Sequence, residues 1–278
     1  MIEVLRTGPL ATLQDLGRPG YRELGIGRSG AADAAAHRLA NRLVGNRAGA
    51  ATIEFTLGGL AIRLLQAATI ALTGARCAGS DWNVALSLPP GSLLRLGSPA
   101  TGLRSYLAVR GGFAVAPVLG SRSTDTLAAL GPAPLSGGQL LPVGAEVAGL
   151  PADEAIIRGR SDRPIRALLG PRAGWFTDTA RRQLFDITWS VLPASNRIGL
   201  RLAGGTLSRA HDGELATEPT LPGAIQVPGD GRPIVLGPDA PVTGGYPVIA
   251  VVLSTELDRL AQLRPGSMLR FAAGPPAW

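Results

Sequence analysis

Five short segments of the chain hold more glycine and polar side chains than a turn requires. The first is Thr12-Leu13-Gln14-Asp15-Leu16-Gly17-Arg18-Pro19-Gly20-Tyr21. Asp15 and Arg18 can pair there as an ordinary salt-bridged turn does, while Gly17 and Gly20 let a backbone come close to a ligand. The second, Ser29-Gly30-Ala31-Ala32-Asp33, precedes a run with helical periodicity and continues to Asn41 and Asn46. Capping alone accounts for Ser29 and Asp33. The free N–H groups of a helix start also suit a carboxylate or phosphate, although the charge of Asp33 already occupies that end of the dipole. His37, on the same helix, reads as a packed or surface histidine rather than a ligand.

The third segment, Gly120-Ser121-Arg122-Ser123-Thr124-Asp125, sets three hydroxyls and an arginine beside a glycine, the makings of an anion nest. In the fourth, Ser195-Asn196-Arg197-Ile198-Gly199-Leu200-Arg201, an arginine fork can grip a carboxylate through two hydrogen bonds. Solvated loop polarity explains either segment equally well. The fifth pairs Gly223-Ala224-Ile225-Gln226-Val227-Pro228 with Thr243-Gly244-Gly245-Tyr246-Pro247. Gln226 stands between apolar neighbours on an expected strand, so its amide must face water or find a partner.

The elements that must position these segments are mostly short strands. Gly (38) and Pro (23) punctuate apolar runs at Ile2–Leu5, Ala61–Leu65, Thr69–Leu72, Leu93–Leu96, Tyr106–Val109, Ile165–Leu169, Ile234–Leu236 and Val248–Leu253. That pattern predicts a mainly β barrel or sandwich architecture. Three helices are expected. One spans 30–44, with Ser29 as N-cap, Asp33 in its first turn and Gly45 as its stop. The second spans 177–185, and the third follows Ser254, carries Glu256 near its start and ends before Pro265. Landmarks recur in order: Ile2–Leu5 runs into Gly8-Pro9, and Ile165–Leu168 into Gly170-Pro171. They predict two similar β modules joined by a polar connector near 151–163, with chance likeness among short strands as the alternative.

Composition excludes several chemistries. The net charge is +7, and all 27 basic residues are arginine, scattered singly except for Arg181-Arg182. With aromatics at 4% there is no basic stripe interleaved with stacking platforms, so nucleic acid is not an expected partner. The absence of lysine removes a Schiff base, a P-loop lysine and any site for covalent biotin. Two histidines and one cysteine do not make a zinc site without several carboxylates, and no metal ligands are assigned. No G-x-S-x-G elbow supports a serine hydrolase. One cysteine, no long apolar run and no basic-then-apolar start predict a cytoplasmic protein away from the membrane.

Read together, TLQDLGRPGY, SGAADAAAHRLANRLVGN, GSRSTD, SNRIGLRL, GAIQVPGDGRPIVL and TGGYP resemble the signature run of the 5-oxoprolinase C-subunit family. That family is also called Kip antagonist or allophanate hydrolase subunit 2, and it is similar to the carboxyltransferase domain of urea carboxylase. The resemblance implies two tandem cyclophilin-like β-barrel modules, 1–160 and 161–278, lining a polar cleft that a second polypeptide completes. It implies a B-type partner (Kip inhibitor or allophanate hydrolase subunit 1-like), a third, LamB/YcsF-type protein, and ATP with Mg shared with the partner. The reaction implied is opening of the 5-oxoproline lactam to glutamate, a stable amide that needs activation at its carbonyl oxygen before water attacks.

On this reading Asp15 and Asp33 orient water or metal, Gln226 and Thr243 polarise the carbonyl, and Arg122 and Arg197 hold the substrate carboxylate. Arg18, Ser29, Asn41, Ser121, Ser123, Thr124, Ser195, Asn196, Gly244, Gly245 and Tyr246 complete the substrate site. The chain departs from the family pattern at Ala32 and Ala34, where Met and Pro are usual, and at Pro241 and Val242, where Gln and Thr are usual. Two other readings stay open. One is biotin-dependent carboxyl transfer with a carrier supplied in trans. The other is a non-catalytic antagonist that binds the Kip inhibitor-like partner.

Overall fold

The computed structural model describes residues 1–152, 154–155, 163–211, 213 and 215–274 of the chain. Two compact units divide it. Residues 1–18, 29–125 and the described part of 129–159 form the first; residues 19–28, 126–128 and the described part of 160–278 form the second. The expected boundary between 160 and 161, and most of the expected connector, lie outside the described residues.

The first unit carries β1 (Ile2–Thr7), β2 (Leu10–Gln14), α1 (Ala34–Leu43), β3 (Thr52–Thr56), β4 (Leu60–Leu64), β5 (Ala68–Gly74), β6 (Ala85–Leu88), β7 (Leu93–Arg95), β8 (Arg104–Val109) and β9 (Leu140–Leu141). An antiparallel sheet of order β2-β3-β8-β5-β6 and a second of order β7-β4-β1-β9 share one apolar core. Ile53, Phe55, Leu72, Leu107 and Val109 come from the first sheet, and Ile2, Val4, Ile62 and Leu64 from the second.

The other face of the five-stranded sheet has an unusual composition. Thr12, Gln14, Thr52, Glu54, Thr73 and Tyr106 are at most 2% exposed. These strands alternate apolar and polar residues as a half-wet sheet does, yet α1 covers part of the polar side, laying Ala36, Ala40 and Leu43 against Ala71, Tyr106 and Ala108. A buried polar group without a partner costs about 1–3 kcal/mol, and most of this layer is hydrogen-bonded, the exception among the described residues being Gln14 Oε1. Thr73 Oγ1 donates to Ala36 O (2.7 Å), and His37 Nδ1 meets Thr52 Oγ1 (2.9 Å). Tyr106 donates its hydroxyl to Glu54 Oε2 (2.7 Å) and accepts from Asp33 N (2.8 Å).

α1 begins at Ala34, four residues later than expected, and Asp33 rather than Ser29 is its N-cap, accepting from Ala36 N at 2.9 Å. Ser29 (φ 53°) and Gly30 (φ 102°) both lie in the left-handed region, which a right-handed helix excludes. The expected stop at Gly45 is observed, with φ 72°.

His37, fully buried on α1, has its pKa lowered to about 4 by loss of water, with the charge of Asp15 opposing. Between the ordinary 6.5 and 4 the unfolded chain binds a proton that the folded chain refuses. The stability present above pH 6.5 therefore falls as pH drops through this window, by up to roughly 3 kcal/mol. Denaturant unfolding at pH 7 and pH 4.5 is expected to show this slope, and His37→Gln is expected to flatten it. An unchanged slope in the variant would contradict the assignment.

The second unit carries β10 (Ile165–Leu169), α2 (Asp178–Asp186), β11 (Trp189–Val191), β12 (Gly199–Ala203), β13 (Glu218–Pro219), β14 (Ala224–Gln226), β15 (Ile234–Leu236), β16 (Thr243–Gly244), β17 (Val248–Val252), α3 (Leu257–Leu260), β18 (Met268–Leu269) and β19 (Phe271–Ala273). Eight strands form one sheet of order β18-β11-β12-β15-β14-β17-β10-β19, antiparallel except where β19 runs parallel to β10. Ala180 and Leu184 of α2 join Trp189, Ile225, Ile249 and Phe271 in its core. Buried Trp189 satisfies its indole N–H on Leu184 O (3.0 Å). Thr177 caps α2 through Ala180 N (3.1 Å), close to the expected span. From Ser254 a single 3-10 turn (Ser254–Glu256) precedes the four residues of α3, so the third expected helix is shorter than its sequence pattern. The chain is mainly β with a few short helices, and every expected strand is present. Among the described residues no helix is long and apolar enough to cross a membrane.

Candidate functional site

In the first unit the polar segments gather around one carboxylate. Asp15 follows the last residue of β2 and is 6% exposed. Its Oδ1 accepts from Gly17 N (2.7 Å), Ser121 Oγ (2.7 Å) and Ser123 Oγ (2.5 Å), and its Oδ2 from Arg122 N (2.6 Å). Ser123 Oγ in turn accepts from Asp15 N (2.9 Å). The nest expected in 120–125 exists, and the anion it holds is the chain's own Asp15. Four donors replace the water that a buried carboxylate loses. Oδ2 takes only one of them.

Arg18 does not pair with Asp15, contrary to expectation. Its Nη2 donates to Ser123 O, so guanidinium and carboxylate meet the same residue at different atoms. Arg18 is 1% exposed, and its Nε and Nη1 have no hydrogen-bond partner among the described residues. Gly131 (φ 82°) makes room for it, since a Cβ there would stand 2.1 Å from Ser123 O and 3.0 Å from Arg18 Nη2.

Arg122, expected to hold a carboxylate, instead donates its backbone N–H to Asp15 and its Nε to Val115 O (2.7 Å). Ser29 Oγ donates to Thr124 O (3.1 Å), and Thr124 Oγ1 to Pro132 O (2.8 Å). Ala31 N reaches Asp15 O (2.9 Å), which seats the 29–33 turn on the Asp15 loop. Asn41 is a clamp rather than a ligand group. Fully buried, it donates to Ala50 O (2.7 Å) and accepts from Asn46 Nδ2 (3.1 Å). Ala32 contributes through its main chain, donating to Glu54 Oε2 (2.9 Å), so its short side chain leaves that bond intact.

The second unit has its own polar cluster. The Arg197 fork expected for a substrate is filled by Asp239: Nε meets Oδ2 at 2.7 Å and Nη2 meets Oδ1 at 2.8 Å, with both side chains at most 2% exposed. Thr126 adds its N–H (3.0 Å) and hydroxyl (2.7 Å) to Asp239 Oδ2. Ser195 and Asn196 shape the turn below, Ser195 bonding the main chain of Arg201 and Asn196 Oδ1 accepting from Ile198 N (2.8 Å). Gln226 is 5% exposed and donates to Tyr246 O at 3.3 Å, a long bond. Gly244 lies against that amide, since a Cβ would come within 2.9 Å of Gln226 Nε2. Thr243 shares β16 with Gly244 and is exposed, as are Gly245 and Tyr246. Pro241 and Val242 use their carbonyls, which accept the hydroxyl and the N–H of Thr220.

Sequence reasoning missed Glu54, Tyr106, Thr126, Thr220 and Asp239. Only Glu54 had a usable signal, a charge inside the otherwise β-prone TIEFT. Among the described residues no group of three His, Cys, Asp or Glu side chains is placed to hold a metal ion. With no lysine in the sequence, the chain has no P-loop lysine to hold a nucleotide's phosphates.

The family model "Carboxyltransferase domain, subdomain A and B" matches residues 24–273. The chain belongs to this carboxyltransferase-domain family. It is 40% identical over 280 residues to the 5-oxoprolinase C subunit of Escherichia coli (strain K12), covering 98% of this chain and 90% of that one. It is 33% identical to urea amidolyase of Saccharomyces cerevisiae, covering 97% of this chain and only 16% of the longer protein. The crystal structure of Kluyveromyces lactis urea carboxylase superposes with a TM-score of 0.91 at 30% identity, over 98% of this chain and 27% of that one. Carboxyltransferase domains thus occur both as near full-length separate subunits and as parts of much longer chains.

Proposed function

We propose that this chain is the C component of a cytoplasmic, heteromeric 5-oxoprolinase-type amide hydrolase, which opens 5-oxoproline to glutamate with ATP. Its partners on this reading are the B-type, Kip inhibitor-like protein and a LamB/YcsF-type protein. The observation that carries the reading is 40% identity, over nearly the whole of both chains, to a 5-oxoprolinase C subunit. ATP with its Mg falls to a partner, and no step on this chain is routed through it. The part assigned here is to bind the substrate and place its lactam. In the first unit, Asp15, through Oδ2, and Asp33 are assigned to orient the attacking water. In the second unit, Gln226 and Thr243 are candidate donors to a carbonyl oxygen, since Thr243 is exposed and the Gln226–Tyr246 bond is long.

Purified together with its partners, the chain is expected to support ATP-dependent glutamate release from 5-oxoproline. No product above background with all partners present would remove the proposal. A second reading, carboxyl transfer, is supported by the 0.91 TM-score to urea carboxylase. Because the chain has no lysine for biotin, that reading requires carboxyl transfer from a biotinylated carrier added in trans. A reconstitution that releases glutamate without any carrier excludes it.

A further inference from the structure

Arg18 and Arg197 are buried alike and differ sharply in what they meet. Arg197 has a carboxylate across its fork. Arg18, among the described residues, has no carboxylate within salt-bridge distance, and only Nη2 is engaged, on Ser123 O. One of its five N–H bonds is used. Taking a guanidinium out of water without a counter-charge costs several kcal/mol, and a methionine would fill similar space without that cost. The Gly131 backbone is shaped around it, so the position is built rather than incidental.

We propose that Arg18 anchors the carboxylate of a small monoanionic ligand. A guanidinium presents parallel N–H donors to a carboxylate, and one positive charge neutralises one negative charge. A dianionic phosphate fits less well, because the Asp15 carboxylate is already bound to the hydroxyl of the same Ser123 whose carbonyl holds Arg18. This assignment moves the anchoring role from Arg197, whose fork is filled by Asp239, and from half-buried Arg122, whose Nε is held by Val115 O, to a fully buried residue with donors to spare. That the ligand is the acid group of 5-oxoproline rests on the proposed function; that the site takes a monoanion does not.

Calorimetry on the full chain, alone and with its partners, tests both levels using 5-oxoproline, its neutral carboxamide, acetate and inorganic phosphate. The wild type is expected to bind 5-oxoproline roughly ten- to a hundredfold more tightly than the carboxamide. Arg18→Met is expected to lose that preference and, without ligand, to melt at a higher temperature than the wild type. Arg18→Lys is expected to recover part of the preference. An Arg18→Met protein that melts lower and still prefers the acid would overturn the proposal, as would failure of both variants to fold. Tighter binding of phosphate than of either acid would overturn the carboxylate class. Acetate binding that depends on Arg18, with neither lactam bound, would uphold the anchor and remove 5-oxoproline as the substrate.

Discussion

Asp239→Ala is expected to destabilise the second unit by about 3–5 kcal/mol, because it takes away the carboxylate that neutralises an arginine 2% exposed. The loss has two parts. Arg197 keeps a buried charge without its fork partner, and the N–H and hydroxyl of Thr126 lose their shared acceptor. The double variant Arg197→Met with Asp239→Leu is expected to cost less than either single change, since well-packed apolar residues of similar volume often replace a buried pair without penalty. Denaturant unfolding of the wild type, Arg197→Met, Asp239→Leu and the double variant closes the cycle. A single Asp239→Ala variant within about 1 kcal/mol of wild type would show that the pair is not sequestered as described.

Asp15→Ala is expected to cost a comparable amount, about 3–5 kcal/mol, since four donors lose one acceptor group. Asp15→Asn separates charge from shape. An amide oxygen still serves the three donors on Oδ1, but its NH2 then faces the N–H of Arg122, two donors with nothing between them. Hydrogen exchange at the Gly17 and Arg122 amides is expected to accelerate in both variants. In the reconstituted complex, glutamate release is expected to fall more than stability alone explains, because Oδ2 is also the atom assigned to water. Activity that tracks folded fraction alone would confine Asp15 to a structural role.

How far the sequence could be read depended on which face of a strand was legible. β1, β4, β5, β8, β10, β15 and β17 announce themselves as apolar, β-branched runs. β2 and β3 do not, because Thr12, Gln14, Thr52 and Glu54 interrupt them, and nothing local says that those polar residues are covered. The two-residue strands β9, β13, β16 and β18 are too short to have a period. At the site, Ser29 and Asp33 both suit a cap, and only the left-handed backbone at Ser29-Gly30 decides between them. The anion nest was readable from its hydroxyls and glycine, but not its occupant, since Asp15 lies 106 residues away from Ser121 in sequence. Arg197 misled for the same reason. An arginine in a polar turn looks like a waiting fork until Asp239, 42 residues on, is seen to fill it.

The hydrogen-bonded layer beneath α1 also settles where that helix can sit. Two greasy surfaces slide past one another at little cost, so a helix lying on aliphatic side chains alone has several near-equivalent seats one turn, about 5.4 Å, apart. Here Thr73 recognises the carbonyl of Ala36, Thr52 the ring of His37, and Tyr106 the amide of Asp33. A shift by one turn would strand all three at once. The turn that leads into the helix, with Ser29 at its head, is thereby delivered to one address on the sheet.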